Sequence, residues 1–116
     1  MEKKLMNDII NDVEKLKEKI LLSNEYKNFK EAEKILDSNK EINKIIGKIK
    51  QVQQQIVKKE DKNEETDKEE IELQSLYKQL DTYKEYTNYI QASKIFNELI
   101  TSIQKEFESY FNGFII

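Results

Sequence analysis

The chain has no cysteine, histidine, tryptophan, proline or arginine, and only two glycines in 116 residues. Each absence removes a class of structure or function. Without cysteine there is no disulfide framework and no thiolate, which suits a reducing compartment. Without histidine as well, a zinc or iron centre would rest on carboxylates alone, and a His- or Cys-based nucleophile–base pair is excluded. Without arginine, the guanidinium fork that reads guanine or grips phosphate is missing. All 20 basic residues are lysine, set against 23 acidic residues for a net charge of −3. The two signs are mixed along the chain and leave no basic face, so direct nucleic-acid binding is not expected. No apolar run is long enough to span a bilayer, and Lys3 and Lys4 are followed by further charges rather than by a leader-like hydrophobic stretch. The chain is therefore expected to stay in the cytoplasm and off the membrane. The lack of proline leaves nothing to interrupt long helices.

What is present is helical patterning. Hydrophobic residues make up 37% of the chain and charged residues another 37%. That balance is compatible with disorder, but the apolar positions recur at helical spacing nearly throughout. A short phrase occurs twice, as Glu25-Tyr26-Lys27-Asn28-Phe29-Lys30-Glu31-Ala32-Glu33-Lys34-Ile35 and as Glu85-Tyr86-Thr87-Asn88-Tyr89-Ile90-Gln91-Ala92-Ser93-Lys94-Ile95. Six of the eleven positions are identical, and a seventh exchanges Phe29 for Tyr89. The matched apolar residues sit at helical spacing, so the phrase describes a helix start with two aromatic anchors and then a small residue. Chance likeness between two amphipathic helices of similar composition is the alternative, and two copies are too few for a solenoid.

The periodicity predicts one all-α domain, residues 1–116, of five helices. The first, about 2–22, carries Leu5, Ile9, Val13, Leu16 and Ile20, widened by Met6, Ile10 and Leu21. Ser23-Asn24 breaks the pattern and can cap a second helix with Tyr26, Phe29, Ala32, Ile35 and Leu36 on one face. Later starts are marked by capping boxes at Ser38…Glu41, Thr66…Glu69 and Thr82…Glu85. The third helix, about 39–60, has Ile42, Ile45, Ile49, Val52 and Ile56 in the alternating three–four spacing of a coiled-coil seam. Gly47 inside it marks either a close helix crossing or a tolerated defect. Residues 58–70 carry no apolar side chain and read as a solvated hairpin tip. The fourth helix, about 67–81, presents Ile71, Leu73, Leu76, Tyr77 and Leu80, and the fifth runs from about 83 to 111, with Gly113 as its stop.

These elements predict an antiparallel hairpin arm, helices three and four, on a helical body made by helices one, two and five. So narrow an arm has little core of its own, and small domains bury a limited fraction of their surface. The arm, the long fifth helix or both are expected to pack against a second copy, giving a homodimer or larger oligomer. The expected oligomer contacts are Ile49, Val52, Leu73, Leu76, Phe107 and Phe111. The expected partner-binding residues are Tyr83, Tyr86, Phe114 and Ile115, within the aromatic stretch 83–89 and the apolar tail 111–116.

No constellation carries chemistry. Every Asp and Glu falls on a polar face, at a cap or in the acidic loop, where it reads as solvated surface rather than as a general acid or base. There is no Gly-rich phosphate loop and no metal-helix pattern. The tyrosines at 77, 83, 86 and 89 could stack bases, but no lysine cluster accompanies them and packing is the simpler reading. The first helix could lie on a membrane surface, but acids and bases alternate evenly over its polar face, as in an ordinary domain helix. No catalytic residue, cofactor or metal is expected.

The phrase Glu25-Tyr26-x-x-Phe29-x-x-Ala32, the Ile/Gln-rich stretch 45–55, the charged break and the return Tyr86-x-x-Tyr89-x-x-Ala92 resemble, in order and spacing, the YlbF/YmcA family of Gram-positive bacteria, which includes YheA-like proteins. The resemblance covers about residues 8–111. It implies an all-helical, cytoplasmic, non-enzymatic and oligomeric regulatory adaptor. It also implies partners: YmcA- or YlbF-like chains, a YaaT-like protein, and through them the endoribonuclease RNase Y, in control of competence, sporulation and biofilm formation. The YaaT-containing complex is associated with iron–sulfur clusters, to which a chain without cysteine donates no thiolate. Two alternatives stay open at this point: a YheA-like relative with no RNase Y role, and a plain coiled-coil scaffold, which would call for uninterrupted heptads rather than breaks at Ser23, Ser38 and Thr82.

Overall fold

The structure, a computed structural model, describes residues 1–114. It contains five helices and no strand among the described residues: α1 (Glu2–Leu21), α2 (Asn24–Asp37), α3 (Lys40–Asp61), α4 (Asp67–Asp81) and α5 (Lys84–Asn112). The four breaks fall where the periodicity lapses, and α5 stops one residue before Gly113. Ile115, one of the expected partner-binding residues, lies outside the described residues.

The local chemistry of the helix ends differs in part from the capping-box reading. Ser23 behaves as expected, its Oγ accepting from the Tyr26 amide at 3.2 Å at the start of α2. Ser38 does not cap α3. Its hydroxyl donates back to the Ile35 carbonyl at 2.7 Å, and the next residue, Asn39, caps instead, its Oδ1 accepting from the Ile42 amide at 3.1 Å. Thr66 occupies the N-cap of α4 but makes no capping bond: its hydroxyl donates to the Glu70 carboxylate at 3.2 Å, and the Glu69 carboxylate goes across to Lys59 instead of back to the helix start. Thr82 belongs to the end of α4, where its hydroxyl donates to the Gln79 carbonyl at 2.7 Å. A hydroxyl can turn either way along a chain, and the spacing of Ser or Thr to Glu does not reveal which carbonyl or amide it meets.

The turn between α3 and α4 is short. Asn63 takes φ of 57°, its amide donates to the Glu60 carbonyl at 3.0 Å, and the Glu64 amide reaches back to the Lys59 carbonyl at 2.8 Å. These are the two bonds of a Schellman stop, with asparagine supplying the left-handed residue.

By its contacts the chain divides into two compact units, Met1–Glu31 with the chain from Ala92 onward, and Ala32–Gln91. The second unit holds the core. Ile42, Ile45, Ile49 and Val52 of α3 and Leu76 and Leu80 of α4 are buried together with Leu36 at the end of α2, and Ile42 and Leu80 are 0% and 1% exposed. Ile46, Ile56, Leu73, Tyr83, Tyr86 and Tyr89 close its edges. Each such aliphatic side chain contributes about 1.5–3 kcal/mol on leaving water. Among the described residues, α3 and α4 are the one pair of helices whose backbones stay close along an extended stretch. The hairpin is therefore the well-packed part of the chain, contrary to the expectation of an arm with little core of its own. The reason is geometric: two narrow seams joined by a tight turn are held in register and bury Ile42, Ile45, Ile49, Val52, Leu76 and Leu80 between them, with Ile56 and Leu73 half-buried toward the tip.

In the first unit, α1 has no buried residue, and neither does α5. Tyr26 and Phe29 of α2 meet Phe96 of α5, each with ring centroids 5.4 Å apart, the Phe29–Phe96 pair nearly parallel. Leu16, Ile20, Leu99, Ile100 and Ile103 are half-buried, whereas Leu5, Met6, Ile9, Ile10 and Val13 near the start of α1 and Phe107, Tyr110 and Phe111 near the end of α5 are exposed.

Candidate protein-interaction surfaces

The four expected oligomer contacts in the hairpin turn inward. Ile49, Val52 and Leu76 are buried in the core of their own chain, and Leu73 packs against it. That corrects their reading as residues free to meet a second copy, since the α3 and α4 seams already cover each other. Phe107 and Phe111 fall elsewhere: both are exposed on α5, stacked on one another with centroids 6.1 Å apart.

The aromatic stretch 83–89 is also committed within the chain. Tyr83 donates its hydroxyl to Glu41 at 3.0 Å, and this bond pushes its phenol above the ordinary value. Tyr86 packs against the hairpin core, where burial raises its phenol too. Both remain half-exposed at the edge of that core. Phe114, by contrast, is 79% exposed.

One charged pair lies at the hairpin tip. The Lys59 ammonium donates to the Glu69 carboxylate, and Glu69 is the one buried charged side chain among the described residues. The hydrogen bond holds the carboxyl below its ordinary range and the ammonium above its own. The second carboxylate oxygen, Oε2, is buried with no partner. The pair ties the end of α3 to the first turn of α4 across the hairpin. Among the described residues, no group of three or more His, Cys, Asp or Glu could hold a metal ion, and no helix is long and apolar enough to cross a membrane. A shallow depression along α3 is walled by Lys50, Gln53, Gln54, Val57 and Lys58, all on one helix, and converges no polar groups.

The exposed apolar residues of α1 are not singled out from the sequence as a site, whereas Phe107, Phe111 and Phe114 at the end of the chain are. Leu5, Met6, Ile9, Ile10 and Val13 of α1 are exposed, as are Phe107, Tyr110 and Phe111 of α5 with Phe114 beyond it. For α1 the signal is the stripe of Leu5, Met6, Ile9, Ile10 and Val13 itself, read as a buried face; for α5 the low charge of 99–114, only Lys105, Glu106 and Glu108, points the same way as the residues already named. Surfaces of this kind on a small chain mark interaction sites.

Comparison with known proteins bears on the same point. No curated protein matches this chain closely enough to count as a relative. Among solved structures, the X-ray crystal structure of Bacillus subtilis RicA in complex with RicF matches with a TM-score of 0.77, covering 94% of this chain and 97% of that one at 16% identity. At that identity the likeness speaks for the fold. The sequence itself matches the family described as control of competence regulator ComK, YlbF/YmcA, over residues 9–109. With five helices in the expected order and the match running from within α1 to near the end of α5, the chain belongs to the YlbF/YmcA family.

Proposed function

We propose that the chain is a non-enzymatic regulatory adaptor that acts by binding other proteins, within a cytoplasmic assembly of YmcA- or YlbF-like chains and a YaaT-like protein that directs RNase Y to particular transcripts. The observation that carries this reading is the bare apolar surface of α1 and the end of α5 in a member of a competence-regulator family. The complex of RicA with RicF supports it, since it shows a protein of this fold engaged with another protein. An adaptor works by surface complementarity, so its functional residues are exposed aromatic and aliphatic side chains rather than titratable groups.

The test uses the purified chain with YaaT-like and YmcA- or YlbF-like proteins and RNase Y from the same organism. Co-elution with at least one of them, lost on Phe114→Ser with the helical signal intact, is the expected result. Tyr83→Ser should instead lower thermal stability, because it removes the bond to Glu41 and an edge of the core. If no such protein binds, and deletion leaves transcript processing unchanged, the adaptor reading gives way to a plain scaffold.

A further inference from the structure

The even mixing of charge read along the chain fails on α3. Residues 42–59, most of that helix, hold five lysines and no Asp or Glu, whereas residues 60–72 hold eight acids and two lysines. The net charge of −3 averages over the two. The lysines are also sorted in space. Ile42, Ile45, Ile49 and Val52 turn toward α4 and are buried. Lys40, Lys44, Lys48, Gln51, Gln55 and Lys58 recur at three and four residues, so they form a second stripe along the same helix, and all of them are exposed. Lys50 and Gln54 widen it. From Lys40 to Lys58 the stripe is about 27 Å long.

These cations have no partner within the chain. Among the described residues, Lys40, Lys44, Lys48, Lys50 and Lys58 make no ion pair and no side-chain hydrogen bond; the α3 lysine that does, Lys59, meets Glu69 at the tip. At one edge α4 adds Tyr77, which is exposed and accepts from the Gln53 amide at 3.4 Å. Gln53 also walls the shallow depression lined by Lys50, Gln54, Val57 and Lys58, so a phenol ring stands beside the basic stripe.

We propose that this face of α3 binds the backbone of single-stranded RNA, its lysines on successive phosphates and the Tyr77 ring against one base. Composition separates this occupant from an acidic protein. Protein interfaces are depleted in lysine and gather aromatic, Met and Arg side chains around an apolar centre. Here the one large apolar side chain exposed on α3 is Val57. Lysine, glutamine, asparagine and tyrosine are instead among the side chains that contact phosphate and sugar. With no arginine to fork onto a base edge, the face reads charge and spacing rather than sequence. An A-form duplex hides its major groove from side chains, so the strand lying along α3 is single. The choice of RNA over DNA rests on the transcript-directed reading above; the binding of a phosphate backbone does not.

The test is fluorescence anisotropy of a labelled oligouridine of about twelve nucleotides, long enough for the stripe, with the full-length chain. Each phosphate held on a single strand contributes about −0.7 to the log–log salt slope, so the native slope should be about −2 or steeper. Lys44→Gln/Lys48→Gln/Lys50→Gln should flatten it by about 2 and weaken binding at least tenfold, with the helical signal intact because all three side chains are exposed. Lys15→Gln/Lys17→Gln/Lys19→Gln on α1 makes the same change in net charge and should leave affinity nearly unaltered. Tyr77→Ala should weaken binding about tenfold at unchanged slope, because stacking releases no counterions. The matching deoxyoligonucleotide should bind no more tightly than the RNA. No binding by the native chain at about 50 mM salt, an equal loss in the α1 variant, or tighter binding of the deoxyoligonucleotide would overturn the proposal. Displacement of the RNA by polyglutamate as readily as by unlabelled RNA would overturn it too, and would give the face to an acidic protein. These results are separable from the adaptor test, since Phe114→Ser leaves the α3 face intact and the assay contains neither YaaT-like protein nor RNase Y.

Discussion

Ser38 and Asn39 compete for the start of α3, and the structure shows which one wins. Asn39 satisfies the Ile42 amide, while Ser38 turns its hydroxyl back to the end of α2. Asn39→Ala should therefore cost about 1 kcal/mol in urea unfolding, the ordinary worth of an N-cap, and Ser38→Ala should cost clearly less. The Lys59–Glu69 pair makes a second prediction at this scale. Glu69 is the more deeply buried partner, so Lys59→Met strands a carboxylate whereas Glu69→Met leaves an ammonium that can reach water. Thermal melts should rank Lys59→Met well below Glu69→Met, with the latter close to the native chain. The pH dependence follows from the directions of the shifts. The carboxyl is held low, so its contribution is present above the ordinary carboxylate range and is lost as pH falls through its depressed value. The ammonium is held high, so its contribution is present below the ordinary lysine range and lost only as pH rises through its raised value. Acid should therefore narrow the gap between the native chain and Lys59→Met, whose stranded carboxylate becomes neutral, and melts taken as pH falls would show it.

At the scale of the element, Gly47 resolves in favour of a tolerated defect. A Cβ built there meets nothing within 4 Å, so no close helix crossing requires it. It sits in the interior of α3, where glycine costs more backbone entropy than alanine. Gly47→Ala should raise stability by up to ~1 kcal/mol, measured by the urea midpoint at unchanged slope. The helices themselves were legible because Leu, Ile, Phe and Tyr recur at three and four residues with few competing signals. Their ends were only half legible. Ser23 could be read as a cap from its place before an aromatic-periodic run, and it is one. Ser38, Thr66 and Thr82 carried the same pattern, yet two of the hydroxyls donate to a preceding carbonyl and the third makes no capping bond. Which way a hydroxyl turns depends on the path of the backbone before it.

For the molecule as a whole, stability should be uneven. α3 and α4 hold the buried aliphatic core, whereas the first half of α1 and the end of α5 are exposed. Native-state hydrogen exchange should find the slowest amides within 42–56 and 73–80. Amides of residues 5–15, in the exposed first half of α1, should exchange orders of magnitude faster. Uniform protection along the chain would count against this distribution.

The sequence alone determined the helix count, the place of each break, the hairpin of helices three and four and the family, because these depend on the spacing of apolar residues and on the order of short phrases. What the tertiary structure decided is which apolar seams are covered. Ile49, Val52 and Leu76 and the bare Phe107 and Tyr110 share one spacing and differ little in hydrophobicity. A seam is buried when the chain brings a complementary seam onto it. The five-residue turn before α4 does this for α3, and no such turn joins α1 to the end of α5.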